Sequence, residues 1–469
     1  MRFVALALIL ISLPLFIALL KQHSNRRDLA LVALGVMPFI SGNLQIDAAV
    51  ITWPLWSGAV RGIQISPVDT LAIALILTRT KGSNSLPFFG LLGFYASTLV
   101  LSLTAASVPM ATVFSCIQFL RVTIFFIAIG GEFARPGAPT NLLVGLSLGL
   151  MLQAGYVITQ KLSGVVQASG TMGHQNILGM MTELALLPLI AAVLDGNRRK
   201  LVYAGIVAGL IVIAGGGSRG AMALVTGGIV ILTVLSLARR RSPRKLKIVG
   251  LGVMAMAAII PLGLATLEDR FGDSSFTTEE EQRAAFERSA RAMAADYPLG
   301  VGANLYVPVA NMEGYADKAG VAWNFANRSA PVHNAYLLAR AETGYAGEIA
   351  FFLLLAVPAV FGLRAAFAQR SDAGGAIALG SSVGLIAIIV HNFYEFAAHA
   401  YNPQALILLN IAVIAGHIRA SKLARRTNRS LRKPLVINPA LAYTKSQGQP
   451  VTRLRNEFVE RSIPLNPGK

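Results

Sequence analysis

PVHNAYLLARAETGYAG, residues 331–347, closes a long polar passage and returns the chain to an apolar helix. The passage starts near Glu268, directly after an apolar run at 248–267. Between Glu268 and His333 it carries ten acidic residues against six basic ones, inside a chain of formal net charge +19. A plain linker between two spans needs no such inversion of charge. The stretch therefore reads as half of an active site, with apolar helices supplying the other half.

Working outward, the rest of the chain is dominated by apolar runs. Of 469 residues 54% are hydrophobic and 13% charged, and mean hydropathy is +0.60. Runs close to the ~20 residues that cross a bilayer fall near 3–20, 29–46, 66–79, 87–108, 111–130, 140–160, 176–194, 201–216, 220–237, 248–267, 342–363, 376–396 and 403–418. The expected fold is all-α: a polytopic helical membrane protein with about 12–13 transmembrane helices and one large external loop. A soluble globular protein is excluded. The first run, Phe3 to Leu20, lacks a small-residue cleavage site after it and is expected to be a retained helix. Segment 47–63, with Trp53 and Trp56, suits either an interfacial stretch or part of a longer second span. The single cysteine, Cys116, sits in an apolar run, which rules out a disulfide framework and a cysteine-rich metal site.

Basic residues orient the bundle. HSNRRD (23–28), LTRTK (77–81), DGNRRK (195–200) and ARRRSPRKLK (238–247) fall on one side of the span count and read as cytoplasmic. The loops at 161–175, 215–219, 268–341 and 397–402 then lie outside. Beyond Arg419 the tail holds eleven basic and two acidic residues, which suits a disordered segment near anionic lipid. With few aromatics and no recognisable module, it does not suit nucleic-acid binding. The expected organisation is an N-terminal transmembrane bundle (1–267), an external catalytic loop with short amphipathic helices (268–341), C-terminal transmembrane helices (342–419) and a basic cytoplasmic tail (420–469).

The outer side collects three groups. AGGGSRGAM (214–222) breaks one apolar run with Ser218 and Arg219. Glycine backbone and a helix N-terminus there suit an anion, and a tight hairpin with a snorkelling arginine suits the same residues. In EQRAAFERSARAMAADYPLGVGANLY (281–306), Arg283, Phe286, Ala290 and Met293 recur at helical spacing, as in an amphipathic helix on a membrane surface. Arg283, Arg288 and Arg291 are either ligand-binding or a solvated face. GVG at 300–302 lacks the third glycine and βαβ context of a dinucleotide site. His333-Asn334-Ala335-Tyr336 stands at a helix mouth, followed by Glu342. An imidazole there can accept a hydroxyl proton, and Asn334 and Tyr336 can bond a sugar.

The ordered set of SRGA, an arginine before PLGVG, and HNAYL with E-x-G-x-x-G entering the next helix resembles the O-antigen ligase family, which includes bacterial polysaccharide polymerases. The resemblance covers roughly Ser218 to Gly347. It implies a GT-C-like glycosyltransferase of the bacterial inner membrane that takes a glycan from undecaprenyl diphosphate at the periplasmic face. No metal or other cofactor is implied, and the acceptor is lipid A–core or another lipid-linked glycan. By motif position Arg219 and Arg283 resemble the family's diphosphate-binding arginines, and His333 its essential histidine. Phe286 and Glu287 stand where the family often has tryptophan, and Arg288 is a neighbouring basic candidate.

Two further clusters face the same side. His174 and Asn176 of GHQN are placed to line an acceptor groove or to cap a helix. In HNFYEFAAH (391–399), His391, Glu395 and His399 recur every four residues, a spacing that suits zinc on a helix or a hydrogen-bonded polar cap. A transporter or flippase of lipid-linked glycans is the rival function. The polar groups gather at one surface rather than the bilayer midplane, and no repeat is evident, which favours the enzyme.

Overall fold

The computed structural model describes residues 2–40, 44, 46–79, 86–250, 275–368 and 372–432. The expected span at 248–267 lies almost wholly outside the described residues. Met1–Ser421 form one compact unit. The longer helices are α1 (Arg2–Gln22), α2 (Ser24–Val36), α3 (Pro67–Leu77), α4 (Phe89–Leu101), α5 (Pro109–Glu132), α6 (Ala138–Leu162), α7 (Gln175–Leu194), α8 (Lys200–Gly216) and α9 (Arg219–Arg239). After the polar passage, α10 (Ser275–Asp296) and the short α11 (Tyr306–Met312), α12 (Tyr315–Lys318) and α13 (Phe325–Arg328) precede α14 (Ala335–Ala368), α15 (Ala373–His391) and α16 (Tyr401–Arg432). Among the described residues, eight helices are long and apolar enough to cross a membrane, and three shorter apolar helices accompany them. The protein is a polytopic helical membrane protein.

Three expectations change in detail. The run at 29–46 becomes the shorter α2 followed by a single helical turn at Met37–Phe39. Segment 47–63 is neither a span nor a helix. It forms an antiparallel hairpin of β1 (Ala48–Thr52) and β2 (Gly62–Ile65), with Ala48 opposite Ile65 and Thr52 opposite Gly62. The β-branched residues of AAVIT and GIQI suit strands, and both runs are too brief for a span. Trp53 packs edge-on against Phe114 at 4.9 Å and Trp56 at 5.4 Å, so both indoles turn toward protein. Finally, α14 begins at Ala335 and not near 342, because Asn334 caps it.

α7 and α15 form the bundle's centre. Almost all of α7 from Leu178 to Leu194 is buried, and α15 packs along it so closely that a side chain at Gly380 would meet the Pro188 backbone. A helix that is apolar all round belongs in such a position. The polar passage builds a lobe with a core of its own. Ala285, Phe286, Ala290 and Met293 on α10 pack with Val301, Leu305, Tyr306, Val332, Leu337 and Leu338. The apolar face of α10 is therefore buried in the lobe instead of lying on lipid as its periodicity suggests. Periodicity identifies a face that seeks an apolar partner, not which partner it finds.

The described residues of the four basic segments gather at one end of the bundle, opposite the lobe. Arg27 pairs with Glu132 and donates to Thr78 O at 3.2 Å. Arg239, fully buried, reaches Asp195 at 2.9 Å, Ala366 O at 2.9 Å and Asp372 O at 2.5 Å. Lys245 lies 3.4 Å from the same Asp195 carboxylate. Charges this deep are kept in place by pairing and backbone acceptors.

Candidate active site at the lobe–bundle junction

The start of α14 fixes one wall of the site. Asn334 Oδ1 accepts from the N–H groups of Tyr336 and Leu337, both at 3.1 Å. Such a cap is worth ~1 kcal/mol and sets where the helix begins. The Ala335 N–H donates to Asn392 O at 2.8 Å and Glu395 O at 3.0 Å, so the turn after α15 is docked on the first turn of α14. Tyr336 Oη donates to Ile389 O at 2.9 Å, and His399 Nε2 donates to Ala335 O at 3.1 Å. Asn334 and Tyr336 are thus engaged in building the site.

His333 projects from this junction between two rings. Phe286 of α10 stacks on it at 5.8 Å and 14°, and Phe396 meets it edge-on at 5.3 Å. Nδ1 is enclosed without a hydrogen-bond partner, 4.0 Å from Glu395 Oε2, too long for a hydrogen bond. The side chain as a whole remains 22% exposed, so that exposure belongs to the rest of the ring. Burial first, then the positive charges of Arg283 and His174, push the imidazole pKa down to about 4. It is neutral near pH 7 and can accept a proton.

Glu395 stands behind it, 4% exposed, with Oε1 accepting from Asn176 Nδ2 at the start of α7. Burial raises its pKa, opposed by His391, Arg283 and Asn176. His174 caps α7, its Nδ1 accepting the Asn176 N–H at 3.2 Å, and burial and Arg283 lower its pKa. Four sequence candidates (His174, Asn176, Arg283 and His333) are thereby brought into one electrostatic neighbourhood from three separate elements. The helical spacing inferred for His391, Glu395 and His399 is not realised, because α15 ends at His391. His391 turns to Glu183 at 2.9 Å, Glu395 to Asn176, and His399 to Ala335. Among the described residues no group of three or more His, Cys, Asp or Glu side chains is placed to hold a metal ion.

The arginines separate by their commitments. Arg288 donates from Nε and Nη2 to Ala319 O at 3.3 and 2.9 Å, and Arg291 pairs with Glu287 at 2.9 Å. Both hold the lobe. Arg283 makes no hydrogen bond or close ion pair among the described residues, while its charge is felt at His174, His333 and Glu395. Ser218 caps α9, its Oγ accepting the Ala221 N–H at 3.4 Å. Arg219 opens α9, exposed, at the same end of the bundle. Ala221 touches Gly179, one turn beyond Asn176 on α7, and the Ala168 N–H reaches Gly215 O at 3.2 Å.

Glu342 lies two turns into α14. It is turned into the protein, where Oε1 accepts the Tyr306 N–H at 3.2 Å. Nearby, the α14 backbone breaks at Gly344 (φ 72°, ψ −177°), and the carbonyls of Ala341 and Glu342 accept the N–H groups of Val301 and Gly302, both at 2.9 Å. PLGVG and ETGYAG are two sides of one joint. Beside it lies a polar cavity lined by Tyr95, Gln118, Asn304, Glu342, His399 and Gln404. Sequence reasoning missed Gln118, Asn304 and Gln404, and also Glu183, an ionisable residue inside an apolar run, which is a recognisable signal.

Fold and site together define a multi-pass membrane protein that presents a neutral histidine and an uncommitted arginine where a folded lobe meets its helices. Residues 204–352 match the family model described as O-antigen ligase. That segment is similar to the O-antigen ligase family, and the match covers under half of the 469-residue chain. Arg219, Arg283, His333 and Glu342 fall inside the match, whereas His174, Asn176 and Glu395 fall outside it. The comparison with curated proteins found no match.

Proposed function

We propose that the protein transfers a glycan from undecaprenyl diphosphate to an acceptor hydroxyl at the periplasmic face of the bacterial inner membrane, with inversion at the anomeric carbon. The acceptor is lipid A–core or a second lipid-linked glycan. The observation that carries this reading is the placement of His333, held neutral, within the field of the uncommitted Arg283. Transfer needs both functions side by side. As the acceptor oxygen bonds to the anomeric carbon, the bond from that carbon to the diphosphate oxygen breaks. Negative charge then grows on the leaving group.

A guanidinium meets two phosphate oxygens at once, which gives Arg283 its role, and Arg219 at the N-terminus of α9 has the same chemistry together with the positive end of a helix. In a partly dry site such charge stabilisation is among the largest catalytic contributions. The acceptor proton passes to His333. Nδ1 is enclosed against Glu395, so proton acceptance falls to Nε2. The prenyl chain stays in lipid beside the helices, and Asn334, Arg340, Phe393 and Tyr394 line a groove next to the start of α14.

Purified protein in detergent, supplied with extracted lipid-linked glycan and acceptor, is expected to form the glycosidic product without any compartment to cross. No product in detergent, with the lipid-linked glycan moved unchanged across the membrane of sealed vesicles, would instead identify a transporter. Glycan profiles of a deletion strain then separate the two acceptors. Unpolymerised single repeats mean a polymerase, and long chains left on the carrier lipid mean a ligase.

A further inference from the structure

We propose that Glu395 is the positioning carboxylate of His333, held through one oxygen by Asn176 and fixing the imidazole tautomer through the other. This rests on the reading of His333 as the base. Three observations support it. Glu395 is almost fully buried, yet Oε2 is aimed at a ring nitrogen that itself lacks a hydrogen-bond partner. Asn176 occupies Oε1, so the carboxylate cannot rotate away from the histidine without losing that bond. The Ala335 N–H binds the backbone carbonyls of both Asn392 and Glu395, which ties the turn carrying the glutamate to the residues following the histidine.

The chemistry follows from the tautomer. A carboxylate facing Nδ1 favours the proton on Nδ1 and leaves the Nε2 lone pair free for the acceptor hydroxyl. When Nε2 takes that proton the ring becomes cationic. The gap of 4.0 Å can then close to a charge-assisted hydrogen bond. The groups facing Glu395 are Asn176 from α7, His391 from the end of α15, Arg283 from α10 and His333 itself. His391 is paired with Glu183 at 2.9 Å, so its attachment is to the core side. Glu395 acts through His333, and the reacting atoms are left to the histidine.

Glu395→Gln tests this with little change of shape. The glutamine Oε1 still accepts from Asn176, while its NH2 donates to Nδ1 and forces the proton onto Nε2. In 15N-histidine-labelled full-length protein, with His333 assigned by its loss in His333→Ala, the wild type is expected to show Nδ1–H and Glu395→Gln to show Nε2–H. In the detergent transfer assay kcat should fall ~100-fold, with the donor KM within about two-fold, because only the base is misdirected. Glu395→Asp should recover part of the rate, and Asn176→Ala, which frees the carboxylate, should lose ~10-fold. An unchanged tautomer in Glu395→Gln, or a wild-type kcat there while His333→Ala is inactive, overturns this inference alone. A fully active His333→Ala overturns the base reading beneath it.

Discussion

At the scale of single residues, the feature with the widest consequences is a histidine held neutral by its surroundings. Between Phe286 and Phe396 the imidazolium loses hydration, and Arg283 adds repulsion, so the pKa lies near 4. The proton-accepting form is thus present above about pH 4 and is lost as pH falls through that value. The acidic limb of kcat/KM, which reports the free enzyme, is expected well below the ordinary histidine range. A bound diphosphate neutralises Arg283 and removes part of the repulsion, so the acidic limb of kcat should lie at higher pH than that of kcat/KM. Coincident limbs would show that Arg283 does not meet the donor's charge. His333→Ala should lower kcat by ~10²–10⁴-fold with an unchanged unfolding temperature. Arg283→Ala and Arg288→Ala should differ in kind. The first should weaken donor use at least ~10-fold, and the second, which releases Ala319 O, should lower lobe stability and leave donor KM alone.

At the scale of elements, the joint between PLGVG and ETGYAG explains why two glycine-bearing motifs flank the histidine. Gly344 adopts φ 72°, and a Cβ there would strike the Pro298 carbonyl oxygen and lie 2.9 Å from Leu299 C. Gly344→Ala is therefore expected to cost ~2–3 kcal/mol, through backbone strain and displacement of the 297–302 loop. Thermal melting and transfer should fall together, and a variant with wild-type stability would remove the joint's importance. Both motifs were visible in the sequence, and so was their order. Their pairing was not, because it depends on carbonyls freed by a kink, which no side-chain pattern records. The same limit explains His391, Glu395 and His399. Spacing by four assumes a helix, and α15 stops at the first of them, where the chain turns onto Ala335. The α10 face was legible as apolar, but its partner was not, since the lobe's core comes from residues far apart in sequence.

At the scale of the whole molecule, the two ends of the bundle differ in how they handle charge. Among the described residues, Arg283 at the lobe end makes no hydrogen bond or close ion pair while its charge is felt at His333, whereas at the opposite end Arg27 and Arg239 are paired with carboxylates. Arg239, Asp195, Lys245 and the Asp372 carbonyl form one buried cluster there. Arg239→Ala would leave Asp195 with Lys245 alone in a dry setting, and a loss of ~3–5 kcal/mol is expected, read as a lowered melting temperature with catalytic residues intact. The separation of ends was legible from the basic loops, because a few lysines and arginines decide orientation regardless of the fold between them. What those loops imply is that DGNRRK faces the cytoplasm and the lobe faces away from it. That can be read directly by replacing half-buried Cys116 with serine and placing single cysteines at Arg198, exposed between α7 and α8, and at Phe325, 89% exposed on the lobe. A membrane-impermeant maleimide added to spheroplasts should label Phe325→Cys at once and Arg198→Cys only after permeabilisation. The reverse pattern would put His333 and Arg283 in the cytoplasm, where a glycan carried on an already flipped lipid cannot reach them, and glycan transfer at the outer face would have to be abandoned.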